Sequence, residues 1–145
     1  MKRWLLIIPL WLAGVWGSRA AEAPLRASGP EVRREVLAVI DAQLAAFRAH
    51  DALKAYALAA FSLRQQFPLA RFLETVRQNY PDIWSNVRAD YSIVQDNGAQ
   101  ATLRVRIFGP GGDSVSYDYI LYKEPAGWRI ASVLKHPAAA GADRA

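Results

Sequence analysis

The sequence predicts an α+β domain in which three N-terminal helices pack on a curved, mainly antiparallel four-stranded sheet, a cone-like arrangement. Two observations along the chain carry this expectation. Up to Trp84 the apolar residues recur at steps of three and four, the spacing of helices with one buried face; beyond it they alternate, the spacing of strands. The alternating stretches are joined by short turns, so neighbouring strands pair antiparallel, and helices that precede such a sheet gather on one of its faces. No internal repeat is present.

In "EVRREVLAVIDAQLAAFRAH" the residues Val32, Val36, Ile40, Leu44 and Phe47 form one stripe, broadened by Leu37, while Arg33, Arg34, Asp41 and Arg48 fall elsewhere. Asp51 is suited to accept hydrogen bonds from the first free amides of "ALKAYALAAF", which makes His50-Asp51 a joint between two helices. "SLRQQF", Ser62 to Phe67, reads as a short irregular or single-turn connector, and Pro68 suits the first position of a third helix. In that helix Leu69, Phe72, Leu73, Val76 and Tyr80 share a face. Pro81 disfavours helical geometry at Tyr80, so the helix ends there or one residue earlier.

The strands follow. In "NVRADYSIVQ", Val87, Ala89, Tyr91 and Ile93 are expected to face the helices, and Arg88, Asp90 and Ser92 the other side. "DNG" at Asp96 to Gly98 is a hairpin signal, because both central positions tolerate positive φ. Leu103, Val105 and Ile107 alternate with Thr102, Arg104 and Arg106. After the "GPGGD" connection, Val115, Tyr117, Tyr119 and Leu121 occupy one face of the next strand. In the last, "WRIASVLK", Trp128, Ile130 and Leu134 compete with Ala131 and Val133 for the inner face. The outer face carries Arg88, Asp90, Arg104, Arg106 and Asp118, the pattern of a solvated surface. Val94, Phe108, Ile120 and Tyr122 share it, which makes a homodimer through the outer sheet an expectation worth testing.

At the N-terminus, Lys2 and Arg3 precede an apolar run from Trp4 to Trp16 and then small residues at Ser18 and Ala20, the order of a secretory signal peptide. A retained membrane anchor is the competing reading, but a spanning helix needs roughly 20 apolar residues and this run is shorter. The expected division is a signal peptide over 1–20, with Ala23 the second choice of cleavage site, a flexible tether over 21–30, one domain over 31–136 and a disordered tail over 137–145. Export to the bacterial periplasm or beyond follows, with contact to membrane only through the signal before cleavage. Removing Lys2, Arg3 and Arg19 leaves 15 basic residues against 13 acidic ones, a formal charge of +2 where the full chain has +5. The arginines alternate with acids and form no basic stripe, so no nucleic-acid partner is expected. The chain has no cysteine. Disulfides, thiolate metal sites and lipid attachment are thereby excluded, and stability rests on a hydrophobic core.

The helix-to-strand order resembles the nuclear transport factor 2-like superfamily, whose long first helix and curved sheet form a cone. More narrowly, "AQLAAFRAHDALKAYALAA", "LRQQF" and "RFLETVRQNYPDIW" resemble an uncharacterised bacterial family, the domain of unknown function numbered 4864. The matching positions are Phe47, Asp51, Tyr56, Arg64, Phe67, Phe72, Val76, Tyr80 and Pro81, and "WRIASV" fits the closing strand. "AAFS" stands where members often carry an Ala-Ser-Pro-like segment. The resemblance spans about Val32 to Leu134 and implies a fold, because the family has no assigned activity.

Tyr56, Arg64, Tyr80, Trp84 and Tyr91 are the residues expected around a cone mouth, where aromatic walls and a few polar handles suit a small-molecule pocket. Core and corner packing is the competing reading of the same rings and is favoured. Arg64 is solvated, or ties the connector to carbonyls or to Asp51, the preferred reading, or meets an anionic ligand with its planar fork. The superfamily resemblance implies a precedent for acid/base catalysis by an Asp beside a Tyr. The strand acids Asp90 and Asp118, however, fall on the wrong face for it. His50 and His136 lack metal-ligand spacing, and "GPGGD" lacks the Lys-Ser/Thr of a phosphate loop. The leading expectation is a non-catalytic exported domain that binds a small apolar or amphipathic ligand or a protein partner, with no cofactor. A cone-type isomerase or dehydratase and a structural dimerisation module are the alternatives.

Overall fold

The computed structural model describes residues 23–137 of the 145-residue chain. The expected signal peptide and the tail from Ala138 onward lie outside the described residues. The chain runs β1 (Arg26–Ala27), α1 (Pro30–Arg48), α2 (Ala52–Ala57), α3 (Phe61–Gln66), α4 (Leu69–Asn79), α5 (Pro81–Trp84), β2 (Arg88–Tyr91), β3 (Gln95–Asp96), β4 (Gln100–Phe108), β5 (Ser114–Glu124) and β6 (Gly127–Lys135). The helices lie against an antiparallel sheet ordered β1-β3-β4-β5-β6, with β2 paired to β4 beside β3. This is the expected α+β architecture.

Helix α1 opens on Pro30, whose missing N–H falls where a helix leaves amides free anyway. Its stripe of Val36, Ile40, Leu44 and Phe47 joins one core with Leu103, Val105 and Ile107 of β4 and Tyr117, Tyr119 and Leu121 of β5. The joint after it is sharp because His50 adopts a left-handed φ of 58°. Asp51 then caps α2, its carboxylate accepting from the Lys54 N–H at 3.2 Å. Pro68 stands just outside α4, its carbonyl accepting from the Phe72 N–H at 2.8 Å. Two more helical pieces appear than the three expected. The Ser62–Phe67 connector lies largely within the helix Phe61–Gln66, and the corner after Pro81 is one helical turn.

The sheet departs from the expected one at three places. The expected first strand is two, β2 and β3, both on the same side of β4. Between them the Ser92 N–H donates to the Arg104 carbonyl at 2.9 Å, and the Ser92 hydroxyl accepts from the Arg104 N–H at 2.8 Å, so a side chain replaces a backbone partner in the ladder. The phase slips there. Val94, expected outside, is buried at 1% exposure, whereas Ile93, expected inside, is 64% exposed; Val87, also expected inside, is 50% exposed ahead of β2, whose Ala89 and Tyr91 keep the expected phase. In β6 a bulge at Ala131 sets Ser132 opposite Ile120 but Ile130 opposite Leu121. Both competing phases are therefore realised, Trp128 and Ile130 before the bulge and Val133 after it, while Leu134 is exposed. Finally, within the segment expected as a flexible tether, Arg26 and Ala27 pair with Asp96 and Gln95, and the Ser28 hydroxyl donates to Asp96 at 2.5 Å.

Candidate functional site

A groove opens where the connector, α4 and the end of β6 meet α1. It has a volume of about 100 Å³ and is walled by Phe47, Leu63, Phe67, Phe72, Val76, Ile83, Ile130 and Val133, with Gln43, Thr75 and Tyr80 as its polar members. Each wall has a local cause. Phe47 ends the stripe of α1, and Phe72 and Val76 are the buried turn of α4. Pro81 stops α4, and Tyr80 leaves the helix at φ −131°, ψ 57°. Behind it, Asn86 is buried and donates to the carbonyls of Leu44, at 3.1 Å, and Ile83, at 2.8 Å, while its own amide oxygen accepts from Arg48. That satisfied amide fixes α5, and with it Ile83, against α1.

The five residues singled out from the sequence are distributed around this groove unequally. Tyr80 lines it; its hydroxyl donates to the Val133 carbonyl at 2.9 Å and its ring lies 5.9 Å from that of Tyr117. Tyr56 stands behind the wall, its ring edge-on to Phe72 at 5.2 Å. Its hydroxyl lies 2.6 Å from the Phe67 carbonyl oxygen and 2.9 Å from that of Arg64, two acceptors freed where α3 ends. Trp84 packs on Phe47 at 6.0 Å, and Phe47 stacks on Phe72 at 6.2 Å. Arg64 donates to the Ala59 carbonyl at 2.5 Å, with its guanidinium 6.0 Å from the Phe61 ring. Tyr91 is not part of the groove lining; its hydroxyl donates to the Asp41 carboxylate on α1 at 2.6 Å. Burial, and then Asp41, push the Tyr91 phenol well above its usual pKa.

Sequence reasoning missed Gln43, the only buried polar group of the lining among the described residues, at 5% exposure. The signal was available, since Gln43 lies three residues after Ile40 and four before Phe47, a polar residue on the apolar stripe. Its amide nitrogen donates to the Ala55 carbonyl at 2.9 Å, tying α1 to α2, and its oxygen accepts no hydrogen bond from the described residues. Also missed were Asp82 and Tyr117, whose carboxylate and hydroxyl stand 3.3 Å apart near the groove; burial, then Asp82, raise the Tyr117 pKa. The acids Asp90 and Asp118 lie on the outer face, paired with Arg88 at 2.8 Å and Arg104 at 3.0 Å. Chemically the groove offers dispersion contacts, one free amide oxygen, the Thr75 hydroxyl, and the Tyr80 phenol as its sole ionisable side chain among the described residues.

Helices layered on one face of an antiparallel sheet, over a narrow aromatic groove, define a small α+β domain of the helix-then-meander type. Residues 31–141 match the family described as Domain of unknown function (DUF4864), and the chain belongs to that family. No curated protein sequence matches the chain.

Proposed function

We propose that this protein is an exported, non-catalytic binding domain that seats the apolar end of a small amphipathic molecule in the groove, and that its fold is of the cone type found in the nuclear transport factor 2-like superfamily. The observation that carries the reading is the groove's lining, aromatic and aliphatic on every side and interrupted by a buried amide whose oxygen is free to accept. Size sharpens it. A volume of about 100 Å³ is below the 300–1,000 Å³ usual for whole small-molecule ligands, so the groove accommodates an end of a molecule, with the remainder outside. An apolar side chain of a protein partner has similar bulk and is the alternative occupant. The basic start and short apolar run of residues 1–20 support export.

The test combines native mass spectrometry of protein purified from the exported fraction with thermal melts in the presence of hexan-1-ol and decan-1-ol. Expected outcomes are a mature N-terminus at Ala21, or at Pro24, and a saturable rise in melting temperature. That rise disappears in a folded Leu63→Trp variant that fills the groove. Equal stabilisation of Leu63→Trp, or neither adduct nor stabilisation in the native chain, would sink the reading.

A second reading concerns the outer sheet face, where Tyr122 and Leu134 are 41% and 60% exposed beside half-buried Ile120. This apolar strip supports a homodimer. Sedimentation that remains monomeric at millimolar concentration removes it.

A further inference from the structure

The polar atoms of the groove are better supplied with lone pairs than with protons. Gln43 stands on the apolar stripe of α1, and its amide nitrogen is held by the Ala55 carbonyl at 2.9 Å. That bond fixes the sense of the amide, so the oxygen is the end without a partner among the described residues. Ala55 does not line the groove, and the NH2 group therefore turns toward α2 and away from it. The oxygen is not sealed. Among the described residues, the buried side-chain atoms that are both closed to solvent and unpartnered are the Tyr119 hydroxyl and the Trp128 indole nitrogen; the Gln43 oxygen is not with them. Since Gln43 is only 5% exposed, the space its oxygen meets is the groove that it lines.

The other polar members share this bias. The Tyr80 hydroxyl gives its proton to the Val133 carbonyl at 2.9 Å and keeps only lone pairs for anything else. Thr75 brings an uncommitted hydroxyl proton, and its oxygen accepts as well. Neither a cation nor a carboxylate lines the groove among the described residues. An anion would find no countercharge there, and an ammonium would bring a charge and three N–H groups against an apolar wall. The lining suits a neutral group with one proton to donate.

The walls indicate what carries that group. Phe47, Phe67, Phe72 and Tyr80 set four rings around about 100 Å³ that is open to solvent. An enclosed apolar cavity of roughly 150 Å³ takes up benzene, so an open groove of this size seats one six-membered ring and no more. Aromatic pairs in offset or edge-to-face contact gain attraction beyond the area they bury, which favours a ring over an aliphatic chain.

We infer that the groove recognises a phenol, a single ring packed on its aromatic wall with the hydroxyl donating to the Gln43 Oε1. Gln43 is then the specificity-determining residue, selecting a hydroxylated ring over a methylated one of the same shape. This rests on the groove being the ligand site and names the chemistry that enters it.

The test titrates phenol and toluene, two rings of closely similar shape, into the exported chain and follows backbone and side-chain amide signals in nitrogen–proton correlation spectra. Transfer from water into a groove without an acceptor favours toluene, because the phenol hydroxyl loses water and gains nothing. With the Gln43 oxygen as acceptor, phenol is expected to bind at least as tightly as toluene and to shift the Gln43 side-chain signals. The phenol-to-toluene affinity ratio should fall about tenfold in Gln43→Met, which keeps the length of the side chain and removes the acceptor. Leu63→Trp should abolish the binding of both. Tighter binding of toluene by the native chain, or a ratio unchanged in Gln43→Met, overturns the inference; if Leu63→Trp still excludes toluene, the groove remains a binding site and only its assignment to phenols fails. Binding of neither ring overturns the inference, and removes the groove reading as well when alkanols also fail to stabilise the chain. If Gln43→Met does not fold without its bond to Ala55, the order of the two rings in the native chain decides. N-acetyltyrosinamide separates the sources of the ring: tighter binding than phenol assigns it to a tyrosine side chain of a protein partner, equal or weaker binding to a free phenolic compound.

Discussion

Tyrosine hydroxyls are treated differently in two regions of this core. Around the groove, Tyr56 and Tyr80 each reach a backbone carbonyl, those of Arg64 and Phe67 for the first and Val133 for the second. At the centre of the sheet Tyr119 is 1% exposed, and its hydroxyl has no partner among the described residues; the indole N–H of Trp128 is likewise unpartnered. The difference follows from where backbone acceptors are available. Arg64 and Phe67 lie where α3 runs out, leaving carbonyls without helical partners, and Val133 lies two residues past a bulge on the sheet's last strand. Tyr119 sits in mid-strand between paired Leu103 and Val133, where the ladder occupies the carbonyls around it. Irregular chain is therefore what lets aromatic residues with polar tips close the groove.

The largest expected effect comes from removing a ring on which the groove side depends. Phe72 contacts Phe47 on one side and Tyr56 on the other. Phe72→Ala should cost about 3–5 kcal/mol, since a buried aromatic leaves both lost transfer energy and a cavity. Chemical denaturation checks this. A loss below 1 kcal/mol would mean that the groove wall collapses onto the gap and that its rings are not holding one another.

Alkaline pH probes both regions together. Burial comes first among the causes that raise the pKa values of Tyr91, Tyr117 and Tyr119, with the Asp41 carboxylate adding for Tyr91 and Asp82 for Tyr117. In the unfolded chain these phenols ionise near pH 10. Raised folded values mean that the stability they contribute is complete below that pH and declines as pH rises through it, because the unfolded state releases protons that the folded state keeps. Melting temperature should fall from about pH 10 upward, with the phenolate absorbance of Tyr91, Tyr117 and Tyr119 appearing only at the unfolding transition. Phenolate signal from all the tyrosines before unfolding would contradict the assigned burial.

How much of this was legible in the sequence depends on the same distinction between regular and irregular chain. The stripe of α1 and the alternation of β4 and β5 were readable because one period persists for many residues. Val94 was assigned to the wrong face because a serine side chain interrupts the ladder at Ser92, a slip that leaves no mark on the hydrophobic pattern beyond two adjacent aliphatics. The bulge at Ala131 left a mark, two competing phases in "WRIASVLK", which is how a mid-strand extra residue reads when both halves face one core. Among site residues, Tyr80 was identifiable from Pro81 and helical spacing. Tyr91 was grouped with it only by type, and its partner Asp41 comes from the polar side of a helix fifty residues away. Gln43 was legible in position but passed over because it is neither aromatic nor charged.

Conservative tyrosine substitutions separate the two regions at the level of single hydroxyls. Tyr56→Phe and Tyr80→Phe should each cost about 1 kcal/mol, the usual net worth of a hydrogen bond, with an added penalty wherever the abandoned carbonyl finds no water. Tyr80 is the more informative of the pair, because its hydroxyl lines the groove and its loss should also change the affinity for an amphipathic ligand. Equal stability in both variants would show that these carbonyls are satisfied without the phenols.

The smallest expected effect has the opposite sign. Burying a hydroxyl without a partner costs roughly 1–3 kcal/mol in proteins, and in Tyr119 that cost is carried by an atom that makes no hydrogen bond with the described residues. Tyr119→Phe removes the atom and keeps the ring, so the desolvation cost goes while packing against the core remains. The small void left where the oxygen was works against the gain, since atoms around it lose dispersion contacts. The net result should be a variant as stable as the native chain or more so, by up to about 1 kcal/mol. Destabilisation of 1 kcal/mol or more by Tyr119→Phe would instead place a bound water on the hydroxyl, and the contrast between sheet centre and groove would then lie in the kind of partner, solvent or backbone.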